Sequence, residues 1–232
     1  GVSGAGSQEV LRFRNEAESA ANLRHPGIVG VYEVGEAGGR HYYSMEYIEG
    51  QDLSCLIRRN SLSGERAAAY LRQLAEAVEY AHEHGVLHRD LKPQNVLVDA
   101  EGRLRITDFG LAKLFDESTR ITQSGTVLGT PSYMSPEQAR GEVVDARSDI
   151  YSAGCVLYEL LTGRPPFNGE TPVSIAYQHV NEPPKTPSSI DPTIPATLDA
   201  IVMHALAKHP SQRYQTAAEM RADVERAIAG MP

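Results

Sequence analysis

The string HRDLKPQN, residues 88–95, packs Arg89, Asp90, Lys92 and Asn95 into eight positions. Burying that many charged and polar groups without partners would cost more than a small domain has to spare. The stretch therefore reads as a loop, with regular elements on either side. On its N-terminal side, residues 64–83 place Leu71, Leu74, Val78 and Ala81 on one helical face and end in the HEHGV turn. On its C-terminal side, short strands are expected around NVLVD and RLRIT.

The rest of the chain divides in the same way. GVSGAGSQ (1–8) reads as a flexible leader. A helical pattern follows from Glu9 to Leu23, with Val10, Phe13, Ala17 and Ala20 on its apolar stripe. Glu16 falls inside that stripe and wants a cationic or hydrogen-bonding partner. Two β-like runs, GIVGVYEV (27–34) and HYYSMEYI (41–48), are separated by the hairpin chemistry of GEAGGR. After IEGQD the pattern turns helical. DFGLAKLFDESTRITQSGTVLGTPSYMSPEQ (108–138) reads as one long irregular stretch, of the kind that is functional or mobile. Helices are expected at 146–162, 171–180, 196–207 and 216–229, the last opened by a Thr216/Glu219 capping box. The class is α+β, with a partial small lobe at 9–47, a larger helical lobe at 48–232 and a cleft near residues 46–50.

Composition narrows the partners. A formal charge of −8 argues against a nucleic-acid surface spread over the whole molecule. The two cysteines, Cys55 and Cys155, match no metal-ligand spacing and read as small buried side chains. The pair of His82 and His84 lacks a third ligand nearby. No apolar run reaches the roughly 18 residues of a membrane helix. No secretion signal is visible at the N-terminus, and the chain opens on Gly1 without an initiator Met.

HRDLKPQN (88–95), DFG (108–110), GTPSYMSPE (129–137), SDIYSAG (148–154) and the late Arg213 occur in the order found in eukaryotic-like protein kinases. Over almost the whole chain from Glu9 the sequence resembles the bacterial serine/threonine kinases of that superfamily. The resemblance implies a protein-kinase-like two-lobed fold, incomplete in its small β lobe, and transfer of the γ-phosphoryl of ATP to Ser or Thr of proteins. Such transfer asks a protein mainly to position reactants and offset phosphate charge. Asp90 would accept or orient the proton of the attacking hydroxyl, and Lys92 would set an ammonium beside the transferred group. Asn95 and Asp108 would hold Mg²⁺ or Mn²⁺ through hard oxygens. MEYIEG (45–50) resembles the hinge that meets adenine: Met45 as gatekeeper, backbone groups of Glu46 and Ile48 on the base edge, Leu97 beneath the ring. Lys92 and Thr130, in the substrate loop, imply Ser/Thr acceptors. Glu137 with Arg213 resembles the family's structural ion pair, and Asp149 its cap on the catalytic loop. Arg89 and Lys113 face a hydroxyl-rich loop and could receive a phosphate, with Thr122, Ser124 and Thr126 as candidate acceptors. Partners implied are protein substrates, autophosphorylation in trans included, with no nucleic acid and no membrane segment within the chain. The location implied is the cytoplasm, including the cytoplasmic part of a longer membrane-anchored protein.

The pattern breaks at the front. Such kinases carry a Gly-rich strand-turn-strand and then a strand with a lysine that pairs the helix glutamate, here Glu16. Residues 1–91 contain no lysine, and the opening glycines run GxxGxG rather than GxGxxG. The chain is thus expected to begin just after that strand and to be weakly active or inactive alone. A non-catalytic pseudokinase scaffold is the rival, opposed by the intact Asp90, Lys92, Asn95 and Asp108. A small-molecule phosphotransferase is disfavoured by GTPSYMSPE.

Overall fold

A computed structural model of the chain describes residues 19–37, 40–59, 62–109 and 131–230. Small antiparallel sheets come first and helices follow. Strands β1 (Val31–Ala37) and β2 (Arg40–Met45) form a hairpin in which Ala37 pairs with Arg40 and Val31 with Met45, with a register shift between Val31 and Glu33. The three-stranded sheet runs β3 (Gly50–Asp52), β4 (Val96–Asp99), β5 (Leu104–Ile106), all antiparallel, so the segment after Met45 and the segment after Asn95 are bound side by side.

The strands differ from the sequence expectation for a tertiary reason. Residues 27–29 do not belong to the hairpin. Ile28 forms a parallel bridge to Ile106, Ile106 N donates to Gly27 O at 2.8 Å, and Val29 N donates to Ile106 O at 2.8 Å. The hairpin starts later and turns more tightly, so Gly35 to Ala37 and Arg40 are strand rather than loop. Gly50, the last residue of the hinge-like MEYIEG segment, pairs with Asp99, where a Cβ would collide with the Val98 carbonyl. The helix expected over Glu9–Leu23 is described only at its end, residues 19–21.

Helix α1 (Leu53–Arg59) is capped by Asp52, which accepts from Cys55 N at 3.0 Å. Cys55 is only half-buried, not buried as expected. A helix this short leaves its thiol between Asp52 (3.3 Å) and Arg58 (2.9 Å). Helix α2 (Gly64–Glu83) starts at Ser63, whose Oγ accepts from Arg66 N, and buries Leu71, Leu74, Val78 and Ala81. Helix α3 (Pro136–Arg140), which starts inside the stretch expected to be irregular, has a complete Ser135/Gln138 capping box and ends on left-handed Gly141. Helix α4 (Ala146–Thr162) is apolar nearly all round and forms the axis of the helical region; Ile150, Tyr151, Ala153, Cys155 and Leu157 are fully buried. At Gly154 a Cβ would lie 2.7 Å from Ala205 Cβ, so glycine permits α4 to meet helix α6 (Ala196–Ala205). Helices α5 (Pro172–Asn181) and α7 (Ala217–Ile228) complete the bundle, α7 lying along α2. The boundaries of α2, α4, α5, α6 and α7 fall within two residues of the expected ones.

The expected Thr216/Glu219 capping box forms only in part. Thr216 Oγ1 accepts from Glu219 N at 3.2 Å, but the Glu219 carboxylate accepts from Gln215 N at 2.7 Å, one residue further out. Among the described residues no helix is long and apolar enough to cross a membrane.

Candidate active site

The loop at 88–95 is suspended between α2 and β4, and buried groups fix it from below. The Asp149 carboxylate, on the first turn of α4, accepts from His88 N and Arg89 N at 2.8 Å each and bonds His82 Nε2 at 2.8 Å. Burial alone would raise this carboxyl, but the hydrogen bonds from His82 and from the His88 backbone N–H outweigh it and hold the pKa below the usual range. Gln138 of α3 donates to Arg89 O at 2.7 Å. Arg89 is thereby held with its backbone at φ 65. The other non-glycine residue at positive φ among the described residues is Asp108, at φ 62. Such backbone is costly for a side chain with a Cβ and persists only where surroundings over-determine it.

His88 ties the two halves of the site. Its Nδ1 accepts from Asp90 N at 3.2 Å, and its Nε2–H donates to Thr107 O at 3.0 Å. Burial lowers its pKa, so the ring stays neutral in the one tautomer that serves both bonds. Phe109 packs against it with ring centroids 4.8 Å apart. Thr107 N donates to Asn95 O at 2.9 Å, completing the link between the loop and the Asp108 segment.

On this frame Asp90, Lys92 and Asn95 meet. Lys92 Nζ lies 2.6 Å from Asp90 Oδ2. Asn95 Nδ2 donates to Asp90 O at 2.9 Å and to Asp90 Oδ2 at 3.3 Å. The Asp90 and Lys92 side chains remain 44% and 33% exposed, so a substrate can reach them. Because the Asn95 amide nitrogen is committed to Asp90, its oxygen is left as an acceptor. Asp108 Oδ1 accepts from the Tyr43 hydroxyl at 2.6 Å, and its Oδ2 has no hydrogen-bond partner among the described residues. These two oxygens are of the hard type that suits Mg²⁺, which needs only one or two protein ligands when phosphates and water supply the others. Among the described residues no three of His, Cys, Asp and Glu cluster as a cation cage.

The hinge-like segment is held more lightly. Glu46 N donates to Gly30 O at 2.8 Å, so only its carbonyl is open to a ligand, and its carboxylate pairs with Arg105 at 3.2 Å. Met45 Sδ accepts from Thr107 Oγ1 at 3.4 Å and lines a small cavity with Val31, Tyr43, Asp108 and Phe109. Ile48 is half-buried. So is Leu97, which faces Asp52 and Arg105 across the sheet.

Glu137 and Arg213 meet in a two-pronged pair, 2.8 Å at each contact. Glu16, Lys113, Thr122, Ser124, Thr126 and Thr130 lie outside the described residues. Sequence reasoning passed over Tyr43, Gln138 and His88, and weighed His82 only as a metal ligand. Tyr43 and Met45 share a strand face by alternation, which was a usable signal. Gln138 and His82 act over separations of 49 and 67 residues, where no local pattern speaks for them.

A family model described as protein kinase domain matches residues 3–223. The serine/threonine-protein kinase PknB of Mycobacterium leprae is 49% identical over 227 residues, covering 96% of this chain and 36% of that protein. PknB of Mycobacterium tuberculosis is 49% identical over 228 residues with the same shares. A probable serine/threonine-protein kinase of Streptomyces coelicolor is 49% identical over 227 residues, 95% of this chain and 34% of that protein. The chain thus spans about a third of the length of the curated relatives it matches.

Proposed function

The chain belongs to the protein kinase family, of the serine/threonine kind, and from that premise we propose that residues 88–95 and Asp108 transfer the γ-phosphoryl of Mg-ATP to a Ser or Thr hydroxyl of a protein substrate. The observation that carries the reading is the shared carboxylate of Asp90, with Lys92 Nζ at 2.6 Å and Asn95 Nδ2 at 3.3 Å on the same oxygen. Asp90 orients the acceptor hydroxyl and takes its proton. Lys92 holds Asp90 and presents its ammonium to the negative phosphoryl oxygens. Asn95 and Asp108 would hold a divalent cation through their oxygens, and that cation would supply positive charge to offset the phosphates. The hinge supplies the Glu46 carbonyl and Ile48 backbone to the base, with Leu97 below. Arg89 and Lys113 would receive a phosphate carried by Thr122, Ser124 or Thr126. Thr130 would act at the acceptor hydroxyl.

The lack of any lysine in residues 1–91 means that the family's phosphate-clamping lysine is not among these residues. We therefore propose low activity for these 232 residues alone. The same observation favours, as a second reading, a pseudokinase that binds nucleotide without transferring phosphate.

Thermal unfolding with and without Mg-ATP tests the binding reading. Saturation at a hundredfold excess over Kd adds about 2.7 kcal/mol of stability. Asp90→Asn keeps that gain and loses phosphorylation of a protein substrate by about a hundredfold or more. A Mg-dependent gain with no transfer to any Ser or Thr substrate points to the pseudokinase, and no gain from the folded chain overturns nucleotide binding here.

A further inference from the structure

Tyr43 stands two residues before Met45 on β2, and both side chains line the cavity that Asp108 closes. Its hydroxyl donates to Asp108 Oδ1 at 2.6 Å, a length typical of a charge-assisted bond. A phenol carries one O–H, and here it is the donor of that bond. The carboxylate it grips is on left-handed backbone, between the bridged Thr107 and the packed Phe109. One oxygen is therefore occupied and the other, Oδ2, is left without a partner among the described residues.

We propose that Tyr43 is a positioning residue for divalent-metal binding: its phenol locks the Asp108 carboxylate in one orientation and leaves Oδ2 to the cation. This rests on the reading of Asp108 as a metal ligand. Partners that orient a ligating carboxylate typically contribute tenfold to a hundredfold in metal affinity. Phenylalanine at 43 keeps the ring and its contacts in the cavity and deletes only the donor.

The test is Mn²⁺ binding to the whole chain in the presence of the ATP analogue AMP-PNP, read from the electron paramagnetic resonance of free Mn²⁺. The unaltered chain, Tyr43→Phe and Asp108→Asn are compared, with thermal unfolding in the absence of metal as the control for folding. The proposal expects Tyr43→Phe to weaken Mn²⁺ affinity by about tenfold, with the metal-free unfolding midpoint little changed. If Asp108→Asn weakens binding and Tyr43→Phe does not, the positioning role falls while the ligand reading stands. If Tyr43→Phe binds Mn²⁺ more tightly, Tyr43 blocks the metal and the proposal is overturned. If Asp108→Asn leaves binding unchanged, the ligand reading itself falls.

Discussion

An arginine meets a glutamate in the helical region and again where the hairpin joins it, and the two pairs are built differently. Arg213, with its side chain fully buried, uses all five of its N–H donors: two on Glu137 and one each on the carbonyls of Arg147, Ala207 and Lys208. It also lies over the Tyr151 ring at 4.8 Å, while Ser148 Oγ donates to Glu137 at 2.5 Å. Arg105 offers one nitrogen to both oxygens of Glu46, at 3.2 and 3.4 Å, and its buried Nε has no partner among the described residues. The first pair ties α3, α4 and the segment before α7 into one body. The second bridges the end of the hairpin to β5 with slack remaining. Saturated and buried suits a platform. Half-buried and under-bonded suits a segment that must adjust when something enters the cleft.

Breaking the first pair should have the largest effect. Glu137→Ala leaves the Arg213 charge buried without its counter-ion and is expected to cost about 3–5 kcal/mol in urea unfolding. A loss below about 1 kcal/mol would mean that water or another carboxylate reaches Arg213. Lowering pH attacks the same pair. Burial alone would raise the Glu137 carboxyl, but Arg213 and Ser148 hold its pKa at about 2, so its contribution is present above the ordinary value of 4.5 and is lost as pH falls through about 2.

An intermediate effect is expected from His179, fully buried on α5 and bonded through Nδ1 to the Tyr151 hydroxyl at 2.9 Å. Burial, assisted by the Lys208 charge, lowers its pKa from 6.5 to about 4. The unfolded chain takes up that proton first, so stability is full above pH 6.5 and declines towards pH 4. The decline is about 3 kcal/mol. In His179→Asn that step should disappear from the stability–pH profile; an unchanged slope would assign it to other groups.

The smallest effect belongs to the second pair. Arg105→Ala should cost under about 1 kcal/mol, as partly exposed pairs do. If it matched Glu137→Ala, the contrast between the two regions would collapse.

The motif residues were legible because their chemistry is local: Asp90, Lys92 and Asn95 lie within six positions and have to share a loop. The helices were legible because their apolar periods are long. β4 and β5 formed where expected, but the start of the hairpin was not legible, since Ile28 left it for Ile106, a partner 78 residues away that no window along the chain contains. Cys55 and the Thr216/Glu219 box misled because their surroundings depend on where a short helix starts and on which backbone donor lies nearest.

What the amino-acid sequence determined by itself was the order of elements and the loop that bears the charges, because these follow from spacing and residue type. What only the tertiary structure decided was which groups hold those charges in place. Asp149 and Gln138 keep Arg89 on costly backbone, His88 joins Asp90 to Thr107, and Tyr43 reaches Asp108 across 65 residues of chain. Buried polar atoms must be satisfied by whatever the fold brings near them, and that neighbourhood exists only once the chain has folded.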